Sequence, residues 1–152
     1  MRIIEIEGPV IAKRVYEIYL RSCGIKRMDR ELKSIMNMAL ARAIRQGRVV
    51  PEDEAGKGGL FYSVLRVRGS RQIRLRNRGP RLFEEVPPSE LQVVARCLLE
   101  QQGFAPGSDE HLRAILKCYD LKQVTTPIRA TLLEILKREF SYVDEFLSSM
   151  DK

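Results

Sequence analysis

The chain has 152 residues, with 44% hydrophobic and 31% charged, which provides for one ordinary domain, or two very small ones, and excludes a wholly disordered chain or a large multidomain enzyme. No apolar run approaches the length of a transmembrane helix, and the stretch after Met1 is too short for a signal peptide. Lys and Arg number 27 against 20 Asp and Glu, and the excess is uneven: residues 1–82 hold 19 basic and 8 acidic residues (+11), residues 83–152 hold 8 and 12 (−4). A chain split this way has one half suited to a polyanion and one that is not.

In chain order, Arg2 to Glu7 alternates enough to read as a short strand, broken by Gly8-Pro9. Val10 to Leu20 follows as a helix whose apolar residues Ile11, Val15, Ile18 and Tyr19 share a face, with Gly24 as its stop. Asp29 is the expected N-cap of a second helix running to about Gln46, where Gly47 ends it. Its apolar stripe is Leu32, Ile35, Met36, Ala39, Leu40, Ala43 and Ile44. Helix, short turn, helix is the layout of a helix-turn-helix unit.

Arg48-Val49-Val50 reads as a strand and Pro51 to Gly59 as a flexible loop. Leu60 to Arg68 and Gln72 to Arg76 read as the two strands of a β-hairpin turning at Gly69-Ser70, a wing placed after the helix pair. Downstream, a helix is expected from about Ser89, with Gln92 completing a capping box, to Gln102. Another follows from Ser108 to Tyr119, and a third opens at Thr125 or Thr126 with Pro127 in its first turn. A further short helix is expected over Tyr142 to Leu147. A shift of 96 residues lays Tyr19 to Arg27 on Ile115 to Gln123, and Leu32, Met36 and Leu40 on Ile128, Leu132 and Leu136, which suggests a repeated helix pair. The expected architecture is therefore mainly α with a small β-hairpin (α+β), winged-helix-like, with two helix-turn-helix-type units in tandem over 1–82 and 83–152, the second packed on the first.

The hairpin carries the sharpest signal. Ala55 to Phe83 contains eight basic residues and no acidic one. Strand alternation puts Arg66 and Arg68 on one face and Arg74, Arg76 and Arg78 on another, and pairing of the strands would make one plate of five arginines. Like charges so placed repel, and a phosphate backbone would relieve them through the arginine fork. The expected nucleic-acid contacts are thus Arg66, Arg68, Arg71, Arg74, Arg76 and Arg78 of the wing, with Arg27, Arg30, Lys33 and Asn37 of the recognition helix. The competing reading of both faces is a solvated surface, or one paired with acidic residues such as Glu84, Glu85 or Asp109.

Catalysis and cofactors find no support. Cys23, Cys97 and Cys118 form no CxxC pair and read as small core residues in a reducing, cytoplasmic protein; His111 is the sole histidine, too few for a zinc site. Gly56-Lys57-Gly58-Gly59 lacks the spacing of a phosphate loop. No cofactor, metal or membrane partner is expected.

The segments Glu5-Ile6-Glu7-Gly8-Pro9-Val10, Gly24-Ile25-Lys26-Arg27, Gly47-Arg48-Val49-Val50, Leu60-Phe61-Tyr62, Val67-Arg68 and Val86-Pro87-Pro88-Ser89-Glu90-Leu91 together resemble a bacterial and archaeal family of unknown function. That family is found near the C-terminus of superfamily-I helicase-like proteins, often beside a restriction-endonuclease-like nuclease domain. The resemblance reaches to about Phe140 and departs at the strand, where the family usually has Phe-Leu-Trp and this chain has no Trp. It implies a non-enzymatic accessory module acting on nucleic acid, with duplex DNA favoured, and supplies no catalytic residues. A helicase or nuclease protein, or a second copy of the chain, are the protein partners this reading allows. The alternative is a protein-interaction or dimerisation module of the same fold with no direct nucleic-acid contact.

Overall fold

A computed structural model describes residues 1–70 and 73–150, with side chains through 138. The chain divides into two compact units: Met1–Arg74 with Pro80–Pro87, and Leu75–Gly79 with Pro88–Lys152. It is mainly helical with one small antiparallel sheet.

Unit 1 runs α1 (Arg2–Glu7), β1 (Val10–Ile11), α2 (Ala12–Ser22), α3 (Arg30–Arg45), β2 (Val49–Glu52) and β3 (Val64–Val67). Arg2 to Glu7, expected as a strand, is a helix. Only Ile4 of α1 is buried and Ile6 is 63% exposed, so the apparent alternation has no sheet to serve. A Cβ at Gly8 would collide with the Ile4 carbonyl that the Gly8 N–H bonds, so glycine is what lets the helix close there. The sheet instead begins at Val10, and the order is β1-β3-β2, both neighbours antiparallel to β3. Leu65 faces Val10 on one side and Pro51 on the other. Pro51 is tolerated because β2 is an edge strand, where a missing N–H costs no ladder bond.

Both flanks of β3 are thereby filled, and 73–78 form no strand. The hairpin expected around Gly69-Ser70 is absent among the described residues, and the sheet's hairpin is β2–β3. Its connection includes a 3₁₀ turn at Leu60–Tyr62. Asp53 orders the loop tip by accepting the backbone N–H of Lys57 (3.1 Å) and of Gly58 (2.9 Å).

The core of unit 1 is Ile4, Val10, Ala12, Tyr16, Leu40, Val49 and Leu65, with Met36, Ala43, Ile44 and Phe61 packed against it. Helix α2 begins two residues later than expected, and its inward side is Ala12, Tyr16 and Leu20, while Tyr19 is half exposed. Helix α3 starts as the sequence predicts: the Asp29 carboxylate accepts the Leu32 N–H at 2.8 Å. Arg14 of α2 is buried and ties three segments together. It donates to Glu7 of α1 (2.6 and 3.1 Å) and to the buried Glu85 (3.2 Å), which also accepts the Leu82 N–H (2.8 Å).

Unit 2 contains α4 (Pro88–Gln102), α5 (Asp109–Cys118) and α6 (Thr126–Met150). The expected short helix over Tyr142 to Leu147 is a continuation of α6. Leu91, Ala95, Leu112, Ile115, Leu116, Tyr119, Leu132 and Leu136 are buried. Cys23 and Cys118 are exposed and Cys97 half-buried, so the small-core reading of the first two is corrected. The offset of 96 reappears in the backbone: α2 and α3 end and begin at Ser22 and Arg30, α5 and α6 at Cys118 and Thr126. The helix stop repeats as well. Cys23, Gly24 and Ile25 N–H groups bond Leu20, Arg21 and Leu20 carbonyls; Tyr119, Asp120 and Leu121 bond Leu116, Lys117 and Leu116. The central residue is left-handed in both, Gly24 at φ 78° and Asp120 at φ 54°.

His111, which the sequence leaves without a role, is fully buried in this unit. Its Nδ1 accepts the Gly107 N–H (3.2 Å), and its Nε2–H donates to the Ala95 carbonyl (3.1 Å), so the neutral ring satisfies both neighbours. Burial pushes its pKa below the ordinary value, opposed by the Ala95 bond. The unfolded chain therefore takes the proton first as pH falls. The stability His111 contributes is full above the unfolded value of about 6.5 and declines below it, by up to about 1.4 kcal/mol per pH unit until the folded pKa is reached. Urea unfolding at pH 7.5 and pH 5 is expected to show a lower midpoint at pH 5, and His111→Gln should shrink that difference.

Candidate nucleic-acid interface

Nine of the ten residues expected to contact nucleic acid are among the described residues, and they lie in different environments. Arg27, in the turn before α3, and Arg30, in its first turn, are exposed and have no ion-pair partner among the described residues. Lys33 and Asn37 are half-buried and engaged within unit 1. The Lys33 ammonium lies 4.0 Å from the Phe61 ring centroid, and Asn37 Oδ1 accepts the Tyr16 hydroxyl at 2.9 Å. Burial pushes the Tyr16 phenol up to about 12, which keeps it a donor.

Arg66 is the clearest correction. Instead of facing outward, its guanidinium bonds Glu52 (2.8 Å) and Glu54 (2.5 Å), and its side chain is 10% exposed. Burial disfavours its charge, but the two carboxylates outweigh that and raise its pKa. Arg66 thus pins the base of the β2–β3 loop, and its single positive charge is shared between the two glutamates there. Arg68 is exposed just beyond β3, with its guanidinium 3.3 Å from where a Gly47 Cβ would lie.

Arg74 is exposed on a segment without regular structure. Arg76 and Arg78 belong to unit 2, where Arg76 pairs with the buried Glu90 at 3.8 Å and Arg78 donates to the Tyr119 carbonyl at 2.8 Å. The five-arginine plate does not form, because β3 takes β1 and β2 as neighbours and leaves 73–78 none. Arg71 lies outside the described residues.

What the fold assembles instead centres on α3. Lys26, Arg27 and Arg30 stand at its N-terminal end, Arg42, Arg45 and Arg48 at its C-terminal end, and Lys57 on the β2–β3 loop. All seven are exposed and none has an ion-pair partner among the described residues. Tyr62, 42% exposed, meets Phe61 edge-on at 5.1 Å, and the Lys33 and Lys57 ammoniums lie 5.9 and 5.7 Å from its ring. Lys57, in the stretch that the sequence reads as a flexible loop, is not among the expected contacts. The usable signal was the glycine-rich run between two strand-forming segments, which is where a hairpin loop falls.

The outward side of α3 also differs from the expected Arg30, Lys33, Asn37 line. Helical geometry and burial put Glu31, Ser34, Ile35, Met38, Arg42 and Arg45 there. Among the described residues no group of three or more His, Cys, Asp or Glu is placed to hold a metal ion, and no helix is long and apolar enough to cross a membrane. No protein-family model, curated protein or solved structure matches the chain.

Proposed function

We infer that unit 1 is a winged-helix module that binds duplex DNA without catalysis, with α3 as its recognition helix and the β2–β3 loop as its wing. Support for the fold comes from the order helix, strand, helix, helix, strand, strand with the last strand central. The observation that carries the function is the set of seven exposed cations around α3 and the loop that have no ion-pair partner among the described residues, on a unit where Arg66 bonds both Glu52 and Glu54. Like charges gathered around one helix and one loop are stabilised by a polyanion, and phosphates are the densest one. Unit 2, in which basic and acidic residues balance, is proposed as the docking part. In line with the family resemblance, the proposed protein partner is one that carries a helicase or nuclease.

Fluorescence anisotropy of a labelled DNA duplex tests this reading. Binding at low salt should weaken steeply as salt rises, with a log–log slope of about −0.9 for each phosphate neutralised. Absence of binding to any DNA or RNA at low salt contradicts it. A second reading, a protein-interaction module of the same fold, has its own observation in its favour: Ile35 and Met38 are 49% and 62% exposed on α3.

A further inference from the structure

We propose that Ile35 and Met38 read thymine 5-methyl groups in the major groove, which makes this face of α3 a sequence-reading surface for DNA. The proposal rests on the duplex-binding reading and goes beyond it to specificity. Two large apolar side chains, three residues apart, stand on the outward face at mid-helix. Glu31 and Ser34 precede them and Arg42 follows. The basic residues that flank this apolar centre lie toward the two helix ends, Arg30 and Arg45 being separated by about 22 Å along the axis.

A B-DNA major groove is about 12 Å wide, so a helix seated in it holds its ends near the two phosphate backbones and its middle over the base edges. That geometry matches cations at the ends and an apolar centre. The floor of the groove presents donors, acceptors and one apolar group, the thymine methyl, so an apolar centre has one complementary target there. An RNA duplex offers neither that methyl nor a groove a helix can enter, which assigns the face to DNA. An acidic protein with an apolar centre would also complement it, but the exposed loop cation Lys57 stands apart from α3, where a phosphate of a backbone running past the helix would meet it.

The test begins with duplexes selected from a random DNA library by the full chain. The tightest are resynthesised with deoxyuridine for thymidine, which removes only the methyls. The wild type should bind the deoxyuridine forms roughly tenfold more weakly, the loss expected for two methyl-sized apolar contacts. Ile35→Ser/Met38→Ser should bind both forms alike, with an unchanged thermal melt because neither side chain is in the core. Equal wild-type binding to thymidine and deoxyuridine duplexes overturns this inference and leaves duplex binding standing. Binding to neither overturns the duplex reading itself. If the double variant instead turns a dimer into a monomer in sedimentation while duplex affinity is unaffected, the face is a self-association surface and the proposal falls.

Discussion

Changing Arg27, Arg30, Arg42 and Lys57 together to alanine is expected to reduce duplex affinity by at least about a hundredfold at low salt, and to flatten the log–log salt slope by about 0.9 for each phosphate no longer neutralised. The four side chains are exposed, lie at both ends of α3 and on the loop, and hold no ion pair among the described residues. Their removal should leave stability within about 0.5 kcal/mol per site, as for surface changes that touch no special feature. A fall in affinity with an unflattened salt slope would mean that the four side chains act on binding by some route other than phosphate neutralisation. Arg66 is left out because its loss would free Glu52 and Glu54 on the loop and unpin it, mixing two effects.

Arg14→Ala should produce the largest loss of stability in the chain, about 3–5 kcal/mol in urea unfolding. Domains of ordinary size are stable by only about 5–15 kcal/mol, so such a loss leaves the variant close to unfolding. The magnitude follows from what remains behind: Glu85 is 3% exposed and would be left with only the Leu82 N–H among its side-chain partners in the described residues. Glu7 would lose both of its bonds as well. Adding Glu85→Ala should recover part of the loss, because it removes the orphaned carboxylate. If the double variant is less stable than the single one by the full cost of Glu85→Ala alone, the two residues are not coupled.

These two predictions concern residues whose roles were unequally visible in the sequence. Helix α3 was legible to within a residue, because Asp29 and Gly47 are local signals that act within one turn. The repeated helix stop was legible as an offset of 96, though not the left-handed Asp120 that stands where the first copy has Gly24. Strand pairing was not legible. Arg2–Glu7 and Gln72 to Arg76 both alternate, yet β3 has only two flanks, and Val10–Ile11 and Val49–Glu52 occupy them. Which segment wins is decided by tertiary packing that no local pattern encodes.

The arginines were hidden for the same reason. A run of basic residues without acids looks free in sequence, but Arg66 finds Glu52 and Glu54 across the hairpin, and Arg76 finds Glu90. Arg14 meets Glu85 from 71 residues away. The positive excess of the first half is therefore a poor guide to which of its cations are left out of ion pairs. Seven of the cations without ion-pair partners among the described residues stand around α3 and on the loop before β3, and Arg68 and Arg74 are the two on the segment that follows β3.

Hydrogen exchange of backbone amides, with and without a bound DNA duplex, tests that placement most directly. Added protection is expected at both ends of α3, from Lys26 to Arg30 and from Arg42 to Arg48, and in the loop from Asp53 to Gly58. Protection confined to Arg74–Arg78 and to the helices of unit 2, with α3 and the loop unchanged, would contradict it.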